Sequence, residues 1–328
     1  MEEISKVTKS RVHHGFNISI ARNRKGLKQA ALADMLGISQ QRLSQLENQR
    51  VVKDEILEKV SEATGVSVED LKTIEDLTNA FGPSGFEEEV VKAVQKHCEG
   101  LNLRNDAMYN VYATMPDAKG NRPVFMLDAH TDECGFMVQN VEDNGLLSII
   151  TLGGFHMTSL PAHSVIVRNS KGEKIKGIIT SKPVHFLTAA QKADNSLTIE
   201  ELKVDVGASS REEVEEDYGI HIGDPIMPDV TFSYDEKHGI CSGKAFDNRL
   251  GCVCIIETMK ALMKETDSLA VDVVGAFASQ EEVGMRGATV TAQQVKPDLA
   301  IVFEGSPADD FYYRTGVAQG CMKKGVQI

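Results

Sequence analysis

The chain has 328 residues, 41% of them hydrophobic and 25% charged, with a formal net charge of -13. That length holds two or three domains with cores of their own, the composition is that of an ordinary globular protein, and no apolar run approaches the roughly 20 residues a membrane span needs. Residues 1–53 carry ten Lys and Arg against four Asp and Glu, so a basic head sits on an acidic body, and only the head is suited to a polyanion.

In the head, Leu27 to Leu36 has apolar residues at helical spacing. Gly37 can take the left-handed conformation that ends a helix, and Ser39 can cap a second helix, Gln40 to Glu47, with Leu43 and Leu46 facing inward. Further amphipathic segments follow at Ile56–Val60 and Thr64–Leu71. The acids Asp54, Glu55, Glu58 and Glu62 read as a solvated helix face. Residues 73–80 read as a connector.

The body begins with a Gly/Pro turn, Phe81-Gly82-Pro83-Ser84-Gly85, before an amphipathic helix from Glu88 to His97. Buried strands are expected at Val124–Leu127, Val271–Phe277 and Leu299–Phe303, with a helix from Leu250 to Leu262. Strands alternating with helices define an α/β layered domain. Residues 138–238 differ in texture: short β-branched pieces such as Leu147–Ile150, Ser164–Val167 and Lys176–Ile179, separated by turns, predict an inserted small β-domain. The start, Met1-Glu2-Glu3-Ile4-Ser5-Lys6, lacks the regions of a signal peptide. The six cysteines form no C-x-x-C pair, so no zinc ribbon or disulfide framework is expected. Cys252 and Cys254 read as buried reduced thiols, which fits a reducing cytoplasm.

Carboxylate-rich motifs lie where strands give way to loops: Ala129-His130-Thr131-Asp132-Glu133, Ala245-Phe246-Asp247-Asn248-Arg249, Gln280-Glu281-Glu282-Val283-Gly284 and Phe303-Glu304-Gly305. Open α/β sheets place their ligand crevice at strand ends. Taken singly, each has a bland reading: a hydrogen-bonded histidine, a helix cap at Asp247, a solvated Glu281-Glu282 pair. Together they are the inventory for two zinc-like ions and an activated water. Two buried carboxylates repel each other unless a cation lies between them, and Glu304 would be a costly charge at the end of a buried strand. Asp132 could hold the ring nitrogen of His130.

Residues 16–72 resemble the Cro/repressor-type (XRE) helix-turn-helix family through Gln29, Leu32-Ala33 and Leu36-Gly37-Ile38-Ser39. The resemblance implies DNA as a partner, with Gln40, Gln41 and Ser44 reading bases in the major groove and Gln29 and Arg42 near phosphates. The bland alternative is a helical bundle for protein contacts. Residues 77–328 resemble the di-metal aminopeptidases of the TET or glutamyl aminopeptidase family, some labelled cellulase M or FrvX, through Gly85-Phe86-Glu87-Glu88, the H-x-D segment, Gly243 to Arg249, Gln280 to Gly284 and the acid after the last strand. The fold class implied is multi-domain: an all-α head over 1–72, an α/β di-zinc aminopeptidase-like domain over 73–137 and 239–328, and an inserted β-domain for oligomerisation over 138–238.

By that resemblance, His130, Asp247 and Glu304 hold one divalent ion, zinc or cobalt, and Asp247 and Glu282 hold another. Glu281 is then the general base and Asp132 its neighbour behind the metal ligand. Most members have Asp at the position of Glu304, and the family also uses a histidine from a final segment. No histidine follows His238, so the second ion is expected to bind weakly and activity to be impaired. Peptides are the implied substrates, the chain is expected to form a homo-oligomer, and no membrane is involved. The rival reading is a transcription regulator whose peptidase-like domain is inactive and senses a ligand or metal. A glycosidase ranks last, because adjacent Glu281 and Glu282 cannot flank a sugar from opposite faces.

Overall fold

The computed structural model describes residues 14–25, 27–64, 68–193, 196–235, 240–265, 269–313 and 317–321. The chain divides into two units: Met1–Asp76 with Phe232–Gly243, and Leu77–Thr231 with Lys244–Ile328. In the first, α1 (His14–Arg24), α2 (Gln29–Leu36), α3 (Gln40–Glu47), α4 (Asp54–Thr64) and α5 (Val68–Asn79) follow in order. Gly37 ends α2 at φ 67, and Ser39 caps α3 by accepting from the Arg42 N–H. Ile18, Leu32, Leu43, Leu46, Val52 and Val60 form the core of this bundle. The expected connector over 73–80 is helical as far as Asn79, because Thr73, Leu77 and Thr78 lie on a buried face.

The second unit starts with α6 (Glu88–His97), β1 (Asn102–Asn105), β2 (Val111–Thr114) and β3 (Val124–His130). It continues through β4 (Gly135–Val141), β5 (Leu147–Leu152), β6 (Ser164–Arg168), β7 (Lys174–Ser181), α7 (Ala189–Ala193), β8 (Leu202–Asp205), α8 (Arg211–Glu216) and β9 (Pro225–Pro228). A hairpin of β10 (Ser233–Asp235) and β11 (Ile240–Ser242) groups with the first unit. The chain then returns through α9 (Phe246–Leu262), β12 (Asp272–Ala278), α10 (Arg286–Val295) and β13 (Leu299–Val302).

A five-stranded sheet has the order β1-β2-β12-β3-β13, in which β12 and β13 run parallel to β3 on either side. Helices α9 and α10 pack on β3 and β12. Strands β4 to β9 close into a barrel of order β4-β5-β8-β7-β6-β9, filled by Phe136, Leu147, Val165, Val167, Leu202, Val204 and Ile226.

Two expectations need correction. Leu299–Phe303 was expected as a buried strand, but β13 is an exposed edge, with Leu299 62% and Val302 62% accessible. Among the described residues it pairs with β3 alone. Cys252 is buried but Cys254 is exposed, since residues two apart on a helix point roughly 200° from each other.

Candidate metal centre and nucleic-acid interface

Parallel pairing carries the carboxyl ends of three strands to one edge of the sheet. Ala278 of β12 is in register with His130 of β3, and Thr131 donates from both N–H and hydroxyl to the Ala278 carbonyl at 2.7 and 3.0 Å. Phe303 donates to the Asp128 carbonyl at 2.8 Å and accepts from Asn248 Nδ2 at 2.6 Å. These bonds bring the motifs after β3, after β12 and after β13 to the start of α9. Asp247 and Asn248, at the start of α9, have non-helical backbone angles and are joined by a cis peptide. Gly305 is required beside Asp247: a Cβ there would lie 2.8 Å from Asp247 Cα.

His130 is the hub. Its Nε2 lies 3.0 Å from Asp247 Oδ1, 3.6 Å from Glu304 Oε1 and 3.9 Å from Glu281 Oε2. Ligand atoms of His130, Asp247 and Glu304 all fall within 4.8 Å of one another. The imidazole is 3% exposed, whereas Asp247 and Glu304 are about half exposed, so the acids line the solvent side. His130 Nδ1 sits 3.3 Å from Asp132 Oδ1 without an aligned hydrogen bond. Asp132 is fully buried and accepts from Ser84 Oγ at 2.6 Å and from the N–H groups of Glu281 and Glu282 at 2.9 and 3.1 Å.

Burial works to lower the His130 pKa, yet the contacts with Asp132 and Asp247 outweigh it and lift it to about 10. Burial acts to raise the Asp132 pKa, but the same histidine, Ser84 and the turn amides keep it low. Asp247 is held low first by His130, and Glu304 is raised by burial and by Asp247. The cluster therefore favours positive charge at its centre. An imidazole nitrogen with several carboxylate oxygens is also the donor set that zinc-like divalent ions take, so the residues fit such an ion. Glu282 lies beside the Cys134 thiol and within reach of the His130 and Asp247 charges, and burial raises its pKa. It is not among the three converging ligands.

A second layer was not foreseen. Arg249, 0% exposed, donates to the carbonyls of Thr131, Leu77, Ala80 and Gly82 and to Glu133 Oε1. Lys244, also buried, donates to Ala80 O at 2.8 Å and to Glu133 Oε1 at 2.6 Å. This buried group ties the segment before α6 to the motifs bearing His130 and Asp247. Its members stand inside quoted motifs, but only burial separates them from surface charges.

In the head, Gln40, Gln41 and Arg42 are exposed on α3, and Ser44 is half-buried beside them. Leu43 and Leu46 hold the opposite face in the core. Gln29 is placed differently: its Nε2 donates to Glu47 Oε2 at 2.5 Å, and Arg22 Nε bonds Glu47 Oε1 at 2.7 Å. Its amide therefore braces α2 against α3.

Comparisons with known proteins match both regions of the chain. The family model for M42 glutamyl aminopeptidase matches residues 110–328, about two thirds of the chain, and a helix-turn-helix model matches residues 18–71. FrvX of Escherichia coli (strain K12) is 35% identical over 241 residues, covering 73% of this chain and 65% of that protein. A TET aminopeptidase from a marine sediment archaeon (Thaumarchaeota) superimposes with a TM-score of 0.72 at 36% identity, covering 78% of this chain and 71% of that one. A Pyrococcus horikoshii TET1 peptidase that can assemble into a tetrahedron or a large octahedral shell has a TM-score of 0.62 at 27% identity, over 72% of this chain and 68% of its own.

The fold thus defines an M42-type α/β domain with an inserted barrel, preceded in the chain by a helix-turn-helix head. The chain belongs to the M42 glutamyl aminopeptidase family, and it spans about two thirds of the length of the curated relative described above.

Proposed function

We propose that this protein is a metal-dependent aminopeptidase of small peptides that also binds DNA through its head. The observation that carries the peptidase reading is the convergence of His130, Asp247 and Glu304 beside Asp132 and Glu281. In this reading His130, Asp247 and Glu304 hold one divalent ion, zinc or cobalt, and Asp247 with Glu282 holds a second. When bound, such ions polarise a peptide carbonyl and acidify a water. Glu281 is the general base: it takes the proton of the attacking water and returns it to the leaving amine. Asp132 fixes the orientation of the His130 ring and the backbone of Glu281 and Glu282, which supports the site without touching substrate.

Exposed Gln40 and Gln41 suit adenine edges, being donor and acceptor together, and Arg42 suits phosphates. Homo-oligomer formation supplies the paired heads a useful operator affinity needs. A reducing, cytoplasmic setting accords with six free cysteines. No helix among the described residues is long and apolar enough to cross a membrane.

Release of nitroaniline from aminoacyl-nitroanilides in the presence of zinc or cobalt is the expected result. Absence of cleavage with every divalent metal tried would sink the peptidase reading. A gel shift on random-sequence DNA at low salt tests the head: a retarded band is expected, and none at any protein concentration refutes DNA binding.

A further inference from the structure

The turn that carries Glu281 is held by an unusual set of acceptors. Four consecutive amides leave the end of β12, and each donates to a side chain from elsewhere in the fold. Ser279 N–H goes to Asn110 Oδ1 at 2.8 Å, Gln280 N–H to Glu87 Oε1 at 3.1 Å, and Glu281 and Glu282 N–H to the two oxygens of Asp132. Gln280 has a positive φ of 52°, a conformation that a residue with a Cβ adopts only when its surroundings impose it. Glu87 Oε1 is the acceptor of the Gln280 N–H. The same oxygen also accepts from Gly85 N–H at 2.9 Å, so it links the turn before α6 to the turn after β12.

Glu87 is 0% exposed, and its second oxygen, Oε2, is buried with no hydrogen-bond partner among the described residues. A carboxylate kept in such a place is costly. Burial, with the charge of Asp132 nearby, pushes its pKa to about 7 even though three backbone amides oppose the shift. A buried acid of this kind is retained at a cost unless it does something for the structure around it. Its hydrogen bonds from Gly85 and Gln280 N–H, at 2.9 and 3.1 Å, both come from these turns.

We infer that Glu87 is a positioning residue for the reaction: it holds Gln280 in its left-handed conformation and so aims the Glu281 carboxylate at the His130 cluster. The inference rests on the peptidase reading for the role of Glu281, but the geometry it describes can be read without turnover. Glu87 itself touches neither substrate nor the reacting atoms. What it supplies is an acceptor at a fixed point, which a neutral amide oxygen at the same point also supplies.

The test uses the full chain with Glu87→Ala and Glu87→Gln, each loaded with cobalt or zinc. Hydrogen–deuterium exchange is followed in peptides covering residues 279–285, with peptides of the β4–β9 barrel as the reference. In Glu87→Ala the turn is expected to exchange about tenfold faster while the barrel is unchanged, as for a local opening. On an aminoacyl-nitroanilide, its kcat is expected to fall about 10- to 100-fold, with KM and bound metal close to wild type, because misplacing a reacting group costs rate rather than binding. Glu87→Gln is expected to restore both slow exchange and kcat. Wild-type exchange in Glu87→Ala overturns the inference. So does faster exchange of turn and barrel alike, or a Glu87→Gln variant as impaired as Glu87→Ala. If the wild-type protein cleaves nothing with any metal, the peptidase reading falls, and the exchange experiment still decides whether Glu87 holds this turn.

Discussion

On α3 of the head, Gln40, Gln41 and Arg42 stand exposed over a core of Leu43 and Leu46, whereas around His130 nearly every polar group is positioned by another polar group. Asp132 accepts from two amides and a hydroxyl, Arg249 donates to four carbonyls, and Glu87 accepts from the amide before Glu281. The first arrangement is an exposed polar surface carried on a scaffold that does not depend on it. The second is one connected unit whose parts fail together. Substitutions on α3 are therefore expected to subtract single contacts and leave the fold alone, and substitutions at the strand ends to change geometry as well as chemistry.

The largest effect expected is from Glu281→Gln, which removes the proposed base: nitroanilide turnover should fall by about 10²–10⁴-fold with the gel shift unaltered. Equal loss in both assays would break the contrast between the two regions. Next comes Arg249→Ala. It takes one of the two cations from buried Glu133 and removes a donor from the carbonyls of Thr131, Leu77, Ala80 and Gly82, so a stability loss of about 3–5 kcal/mol in urea unfolding is expected.

Metal affinity should follow pH with a defined sign. His130 has its pKa raised to about 10, so below that value protons compete with the ion for Nε2. Affinity should weaken as pH falls, by up to about tenfold per unit if one proton is displaced. Titration with cobalt at pH 6 and pH 8 measures this; an affinity independent of pH would show that His130 is not a ligand.

Smaller effects belong to the head. Gln41→Ala should cost about 1–3 kcal/mol on its best DNA sequence and little on others, while Arg42→Ala should weaken all sequences alike and reduce the salt slope by about one. Ser39→Ala removes the cap on Arg42 N–H and should lower the stability of the head by about 1 kcal/mol, read as a shift in its thermal midpoint with turnover unchanged.

Much of this was legible in the residues. The α2 end at Gly37, the Ser39 cap and the α3 bounds from Gln40 to Glu47 follow from local chemistry: a left-handed position wants glycine, and an orphan amide wants a hydroxyl. Convergence of the motifs was expected from their places at strand ends, and the grouping of His130, Asp247 and Glu304 from the family resemblance. The reason first given for Glu304, a charge closing a buried strand, does not hold, since β13 is an exposed edge and Glu304 is half exposed. Gln29 was expected near DNA phosphates because of its place in the motif, yet it donates to Glu47, a partner 18 residues away that spacing along a helix does not reveal.

Sequence alone determined the elements whose stability is decided within a few residues, namely turns, caps, apolar periodicity and the types of side chain at strand ends. It also marked the basic head from the acidic body, because charge is additive along a chain. Tertiary structure alone decided which acids meet: that Glu87 turns inward to the Gln280 amide, that Glu282 faces Cys134, and that Glu133, Lys244 and Arg249 close on one another out of water. The physical reason is that a carboxylate in a sequence carries no mark of its burial. Whether it is solvated, paired or stripped of partners depends on segments more than a hundred residues away, brought beside it only when parallel strands align.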